Sequence, residues 1–323
     1  MKIGNRFILS GLLVLMTLLA TMMLTTVTSF AATSINVDGG TSQDLQKAID
    51  EASSGSSISI SDTITIDETI NINKDITLIG SGRLVRKSGF GKIMIKINNY
   101  CEVVMDGITI DGNGVKCNKP AVYIYHAIFI MESGTIQNNN DSGVYNDCGT
   151  FEMIGGTISE NKSLNGGGVY NNSGTFKMVN GTIYGNQSGY GGGVYNNSGT
   201  FKMINGTIYG NQSCYGGGVY NIWGTFEMTD GTISGNKSWD GGGVCNSSGT
   251  FKMIGGTISE NKASYGGGIY NAVGATFEMT GGKITSNKAG WNGGGVYNGS
   301  GRVKITEGSV VITGNSPEDR YGC

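Results

Sequence analysis

The residues of this chain that could do chemistry are few, and their spacing decides which chemistry is open to them. Asp106 and Asp111, in the segment VMDGITIDGN, are the best carboxylate pair available. Paired carboxylates serve as acid and base in glycoside hydrolysis, but a five-residue separation along a strand leaves two side chains on opposite faces. The single histidine, His126, sits in the apolar strand-like run AVYIYHAIFI without an acidic neighbour, which suits a structural role. Glu152, Glu227 and Glu278 share one column with Lys177, Lys202 and Lys252, the make-up of a solvated face, while Asp230 and Asp240 stand apart from other carboxylates. The Gly triplets at Gly166 and Gly191 are followed by neither a helix start nor Lys-Ser/Thr, so they are coil corners rather than phosphate loops. A calcium-binding nonapeptide array would need an Asp in every repeat, and none is present. No catalytic residue, metal ligand or cofactor site is assigned.

Aromatic side chains are more regular. Tyr145, Tyr170, Tyr195, Tyr220, Tyr270 and Tyr297 each follow a Val or Ile that points inward, and so form an outward stripe that Cys245 interrupts. A second group, Tyr190, Tyr215, Trp239, Tyr265 and Trp291, precedes the Gly triplets. Flat rings beside Asn and Ser groups suit extended polar ligands such as a polysaccharide or a host or neighbour surface glycan, or else a protein partner. The strand tyrosines have an equally simple reading as a ladder of stacked rings. The binding candidates are therefore the five corner aromatics together with Tyr170, Tyr195, Tyr220 and Tyr270.

What must position these rings is a repeat. Phe151, Phe176, Phe201, Phe226 and Phe251 recur every 25 residues and Phe277 follows after 26, and the same period governs Met153 to Met279, Ile158 to Ile284 and the column from Val144 to Val296. A fixed period of this kind is read before any secondary structure. Within one unit, approximately GGGVYNxSGTFKMxxGTIxxNxS, three short apolar stretches alternate side chains inward and outward between Gly, Asn and Ser clusters. No glycine-free amphipathic run is long enough for a helical repeat. The fold expected is an all-β right-handed parallel β-helix with three strands per 25-residue coil, regular over residues 140–315. One coil buries about four large side chains, worth roughly 1.5 to 3 kcal/mol each, against roughly 1 to 2 kcal/mol of backbone ordering per residue. Coils must therefore stabilise one another by stacking. Two Asn columns, Asn146 to Asn298 and Asn161 to Asn287, suit inward amide ladders; most also match the glycosylation pattern, which the repeat generates by itself.

Residues 1–31, with a charged start, an apolar run from Phe7 to Leu24 and small residues at Ser29 and Ala31, read as a signal peptide, so the protein is expected outside the cell, secreted or at its surface, with no membrane insertion of the mature chain. Residues 32–323 are expected to form one domain, opened by a short capping helix over 42–53 in which Leu45, Ala48 and Ile49 share a face. After VKITEGSVVITGN the repeat stops, which leaves open a truncated product or one module of a longer surface protein. With 24 acidic and 22 basic residues there is no basic stripe for a nucleic acid. An exported chain permits disulfides, but the register sets Cys148, Cys214 and Cys245 too far apart to pair; pairing among Cys101, Cys117 and Cys323 stays open.

The segments ITLIGSG (Ile76 to Gly82) and ITIDGNG (Ile108 to Gly114), with the GGGVYN and GTISGN units, resemble the pectin-lyase-like parallel β-helix superfamily and, more narrowly, bacterial surface proteins with GGxxxN-type repeats similar to polymorphic outer-membrane adhesins. The resemblance spans most of residues 34–315. It implies the fold, and it implies two functions between which the fold does not choose: a non-catalytic adhesin or interaction module that binds carbohydrate, which the aromatic stripes favour, or a polysaccharide lyase or glycoside hydrolase; a passive surface spacer is a third reading, kept open by the stop of the repeat before Cys323.

Overall fold

The computed structural model describes residues 34–306 and 308–323. Residues 1–31, read from the sequence as a signal peptide, lie outside the described residues. The described chain is an all-β parallel solenoid of about 11 turns, with strands stacked into three long sheets of 12, 12 and 11 members. Each regular coil gives one strand to each sheet. The coil that begins at Val194, for example, places Val194–Asn197 in the third sheet, Thr200–Met203 in the first and Thr207–Tyr209 in the second. Every pairing between these sheets' neighbouring strands is parallel and in register, so Phe176 lies opposite Phe201, Ile183 opposite Ile208 and Val169 opposite Val194.

The interior follows from that register. Phe151, Phe176, Phe201, Phe226, Phe251 and Phe277 are fully buried, as are their Met, Ile and Val columns. The Phe rings stack face to face with centroids 4.6 to 5.3 Å apart, close to the roughly 4.8 Å between hydrogen-bonded strands. Turn chemistry fixes the corners. Gly206 precedes the second-sheet strand at φ +96, a value glycine tolerates and other residues do not. At the other corner, a Cβ on Gly192 would stand 2.5 Å from the Gly217 carbonyl oxygen, so the triplet is what lets successive coils close on each other.

Both Asn columns form the inward ladders expected of them, and the second is longer than the repeat suggested. Asn186 Nδ2 and its backbone N–H both donate to Asn211 Oδ1 at 3.0 Å, and Asn186 Nδ2 also reaches the Ile158 carbonyl. The same arrangement begins at Asn139 and ends where Asn315 donates to Asp319 Oδ1. In the first ladder Asn171 Nδ2 donates to Asn196 Oδ1 at 2.7 Å and to the Gly174 carbonyl. These amides satisfy backbone groups that the corners would otherwise bury without partners.

The less regular coils continue the same sheets, with three features that the sequence reading did not give. The run Val103 to Ile110 divides into Glu102–Asp106 and Thr109–Asp111, in different sheets, because Gly107 turns between them at φ +87. The helix spans Ser42–Glu51, shorter than residues 42–53, with Leu45, Ala48 and Ile49 buried. Its Gln46 side chain accepts from the Asn71 N–H and donates to the Asn71 carbonyl, filling the open hydrogen-bonding positions of Ile70–Ile72, the strand at the edge of the third sheet. Finally, Arg86 is wholly buried and donates to the carbonyls of Phe90, Lys92, Lys119 and Pro120, a core arginine that the apolar pattern gave no sign of. All six cysteines are free thiols, and among the described residues no helix is long and apolar enough to cross a membrane.

Candidate binding face

The corner before each Gly triplet is more ordered than three strands per coil would make it. Gln187–Tyr190 pairs with Gln212–Tyr215, and Lys262–Tyr265 with Lys288–Asn292, as two short additional sheets. Isolated bridges at Lys162, Lys237 and Ser316 join them into one ladder. The polar, β-compatible N-Q-S-x-Y segments permit this extension.

This ladder fixes the register of the corner aromatics and divides them. Asn165, Tyr190, Tyr215, Asp240, Tyr265 and Asn292 are paired in succession; each is the residue directly before a Gly triplet. Trp239 and Trp291 stand one position earlier. Since neighbours along a strand point to opposite faces, Trp239 does not share the surface of Tyr190 and Tyr215, whereas at Trp291 a bulge shifts the register and sets its ring on Tyr265. Trp239, 62% exposed, borders a groove of about 310 Å³ that contains Gln187, Gln212, Ser163 and Ser213. Tyr190 and Tyr215 stack at 5.4 Å and turn toward the third sheet, where Tyr190 meets Tyr195 and Tyr220. Farther along, Tyr265 contacts both Trp291 and Tyr297.

The strand tyrosines form a ladder of ring contacts, stacked except where Tyr220 tilts by 41° against Tyr195. Tyr145 and Tyr170 are 4.5 Å apart, Tyr170 and Tyr195 4.8 Å, Tyr195 and Tyr220 5.3 Å, and Tyr270 and Tyr297 5.1 Å. The ladder extends beyond the stripe seen in the sequence, to Tyr123 at one end and Tyr321 at the other. Burial pushes the hydroxyls of Tyr145, Tyr195 and Tyr270 up to about 12, so these rings are neutral throughout the physiological range. Most of their faces are taken by one another.

No known protein family, curated protein or solved structure matches this chain.

The other candidates for chemistry fall away from this face. Asp111 is buried, and although burial raises a carboxylate's pKa, hydrogen bonds from Gln137, the Asn113 N–H, Arg83 and Asn138 outweigh it and leave the group below its ordinary value. Arg83 approaches to 2.7 Å. Asp106 accepts from Ser133 instead, so the two carboxylates serve separate contacts. His126 is not in a strand: it turns the chain at φ +48 between Val122–Tyr125 and Ile128–Met131, against the rings of Tyr125 and Tyr100. Lys177 pairs with Glu152 at 2.6 Å across neighbouring coils. Among the described residues no three His, Cys, Asp or Glu side chains gather closely enough to hold a metal ion.

One coil departs from the rest. Where its neighbours carry Tyr215 and Tyr220, or Tyr265 and Tyr270, it carries Asp240 and Cys245. Both rings are therefore missing at one level of the double ladder, and a recess of about 340 Å³ opens there, lined by Tyr190, Tyr215, Tyr220, Asp240, Cys245 and Tyr270 among others. The interruption by Cys245 was visible in the sequence. The role of Asp240 was not, because alignment by aromatic identity put Trp239 in its place; counting back from the Gly triplet would have found it.

Proposed function

We propose that this chain is an exported, non-catalytic right-handed β-helix of the pectin-lyase-like kind, acting outside the cell in adhesion or surface interaction by binding carbohydrate along its corner ladder. The observation that carries this reading is the groove beside Trp239: a largely exposed indole next to the amides of Gln187 and Gln212 on adjacent coils and Ser163, Ser188 and Ser213 from three successive coils. A ring face that takes up the apolar side of a sugar, with side chains that exchange hydrogen bonds with its hydroxyls, is the pairing an extended glycan requires. The corner ladder carries Lys or Gln at one level of each coil, followed by Ser in four successive coils from Ser163 to Ser238, so polar groups stand at intervals along one line, which favours a polymer over a small molecule. On this reading the helix Ser42–Glu51 is the cap of the solenoid, a role supported by the way Gln46 occupies the edge of Ile70–Ile72.

The test is a glycan and polysaccharide panel, applied to the protein and to a variant with Tyr190, Tyr215, Trp239, Tyr265 and Trp291 all changed to Ala. Saturable binding that the variant loses, at an unchanged circular dichroism spectrum, is the expected result. Release of unsaturated or reducing sugars from any polysaccharide would overturn the non-catalytic reading in favour of a lyase or hydrolase, and absence of binding by both proteins would favour a spacer.

A further inference from the structure

The recess at Asp240 and Cys245 differs in chemistry from the groove beside Trp239. Its walls are tyrosine rings, and its one ionisable acid is Asp240. That carboxylate has no hydrogen bond or ion pair among the described residues, and burial alone raises its pKa. Elsewhere the protein treats its buried and half-buried acids differently: Asp111 is held by Arg83, Gln137 and Asn138, and Asp147 accepts from Tyr123 and Asn172. A carboxylate left uncompensated beside several π-faces is an arrangement that favours a cation, because the ring faces and the charge attract it together.

Size narrows the occupant. Tyr220 and Tyr270 stand two coils apart, with Cys245 paired between them, which is about 9.6 Å at the strand spacing. Tyr220 leans onto Tyr190 and Tyr215 and Cys245 is buried beneath it, so the recess opens against Tyr270 beside Asp240, and its volume of about 340 Å³ has room for one sugar residue. We propose that this recess binds an amino-sugar residue carrying a free ammonium group, its ring against Tyr270 and its ammonium group on Asp240. The inference rests on the carbohydrate-binding reading and adds to it a preferred sugar and a place. Cys245 contributes by being small: its thiol is fully buried and burial pushes its pKa up, so it acts as a neutral floor.

The test uses calorimetric titration of the purified protein with glucosamine oligosaccharides, their N-acetylated counterparts and tetramethylammonium, repeated on Asp240→Asn and Cys245→Tyr. Cys245→Tyr restores the residue that the neighbouring coils carry at this position, so it fills the gap while keeping the repeat. Expected are at least tenfold tighter binding of the free-amine oligosaccharide than of the acetylated one, loss of that preference in Asp240→Asn, and at least tenfold weaker binding in Cys245→Tyr with an unfolding midpoint no lower than that of the parent. Equal binding of both oligosaccharides, or a preference that survives in both variants, overturns this inference and leaves the glycan reading standing. Binding of tetramethylammonium alone overturns the sugar assignment, and binding of none of the three overturns the inference outright.

Discussion

The inside of this solenoid and its outer corner are made by the same repeat under opposite constraints. Inside, Phe, Met, Ile, Val and Asn recur at the same positions in coil after coil, because each side chain packs on its own copy above and below. A different residue there breaks two contacts at once. At the corner, the positions before the Gly triplets change from Asn165 to Tyr190, Asp240 and Asn292, and the backbone ladder passes through all of them. The difference shows where the fold tolerates variation: in groups that stack or face solvent without closing the core. Function that depends on varied chemistry has room only there.

The largest expected effect comes from breaking the interior. Phe201→Ala removes a ring stacked between Phe176 and Phe226 and should cost about 3 to 5 kcal/mol, read as a lowered denaturation midpoint. Asn211→Ala comes next. It leaves the Asn186 N–H and Nδ2 without their acceptor and the Ile183 carbonyl without the Asn211 amide, a loss of about 3 kcal/mol when buried polar groups go unmatched; a change under 0.5 kcal/mol in urea unfolding would show that the ladders are incidental.

Changes at the corner should be smaller and can be of either sign. Cys245→Tyr joins the two halves of the tyrosine ladder and should stabilise by about 0.5 to 1 kcal/mol, the scale of an added aromatic pair. Asp240 should leave a signature in pH dependence. In the unfolded chain it ionises at the ordinary aspartate value of 3.8, and in the folded protein burial raises that value, so the folded state holds the proton longer. Its contribution to stability is therefore present below 3.8 and is lost as pH rises from there through the raised value, and Asp240→Asn should abolish that part of the pH profile. Trp239→Ala, at an exposed site, should shift stability by no more than about 0.5 kcal/mol.

The interior was legible in the sequence because each core column repeats one residue type: the period of Phe151, Phe176 and Phe201 fixed coil length, and the spacing between Val194, Phe201 and Ile208 fixed three strands. The amide ladders were legible for the same reason, up to their ends. Asn139 and Asn315 fell outside the strict period, since coils near both ends vary in length. Arg86 was hidden because its partners are carbonyls of loops that carry no pattern. The corner was less legible, for the reason that makes it interesting. Its residue types vary, so matching Trp239 to Tyr215 by ring rather than by distance from the Gly triplet concealed both the division of the aromatics between two faces and the recess beside Asp240.

The most direct test of carbohydrate binding at the corner uses the tryptophans themselves. In a Trp223→Phe variant, fluorescence reports only Trp239 and Trp291, both about two-thirds exposed. Titration with the polysaccharides of the panel should give a saturable blue shift, as a sugar covers an indole now facing water. An emission maximum that stays at the solvent-exposed position with every polysaccharide, up to millimolar sugar, would contradict the account.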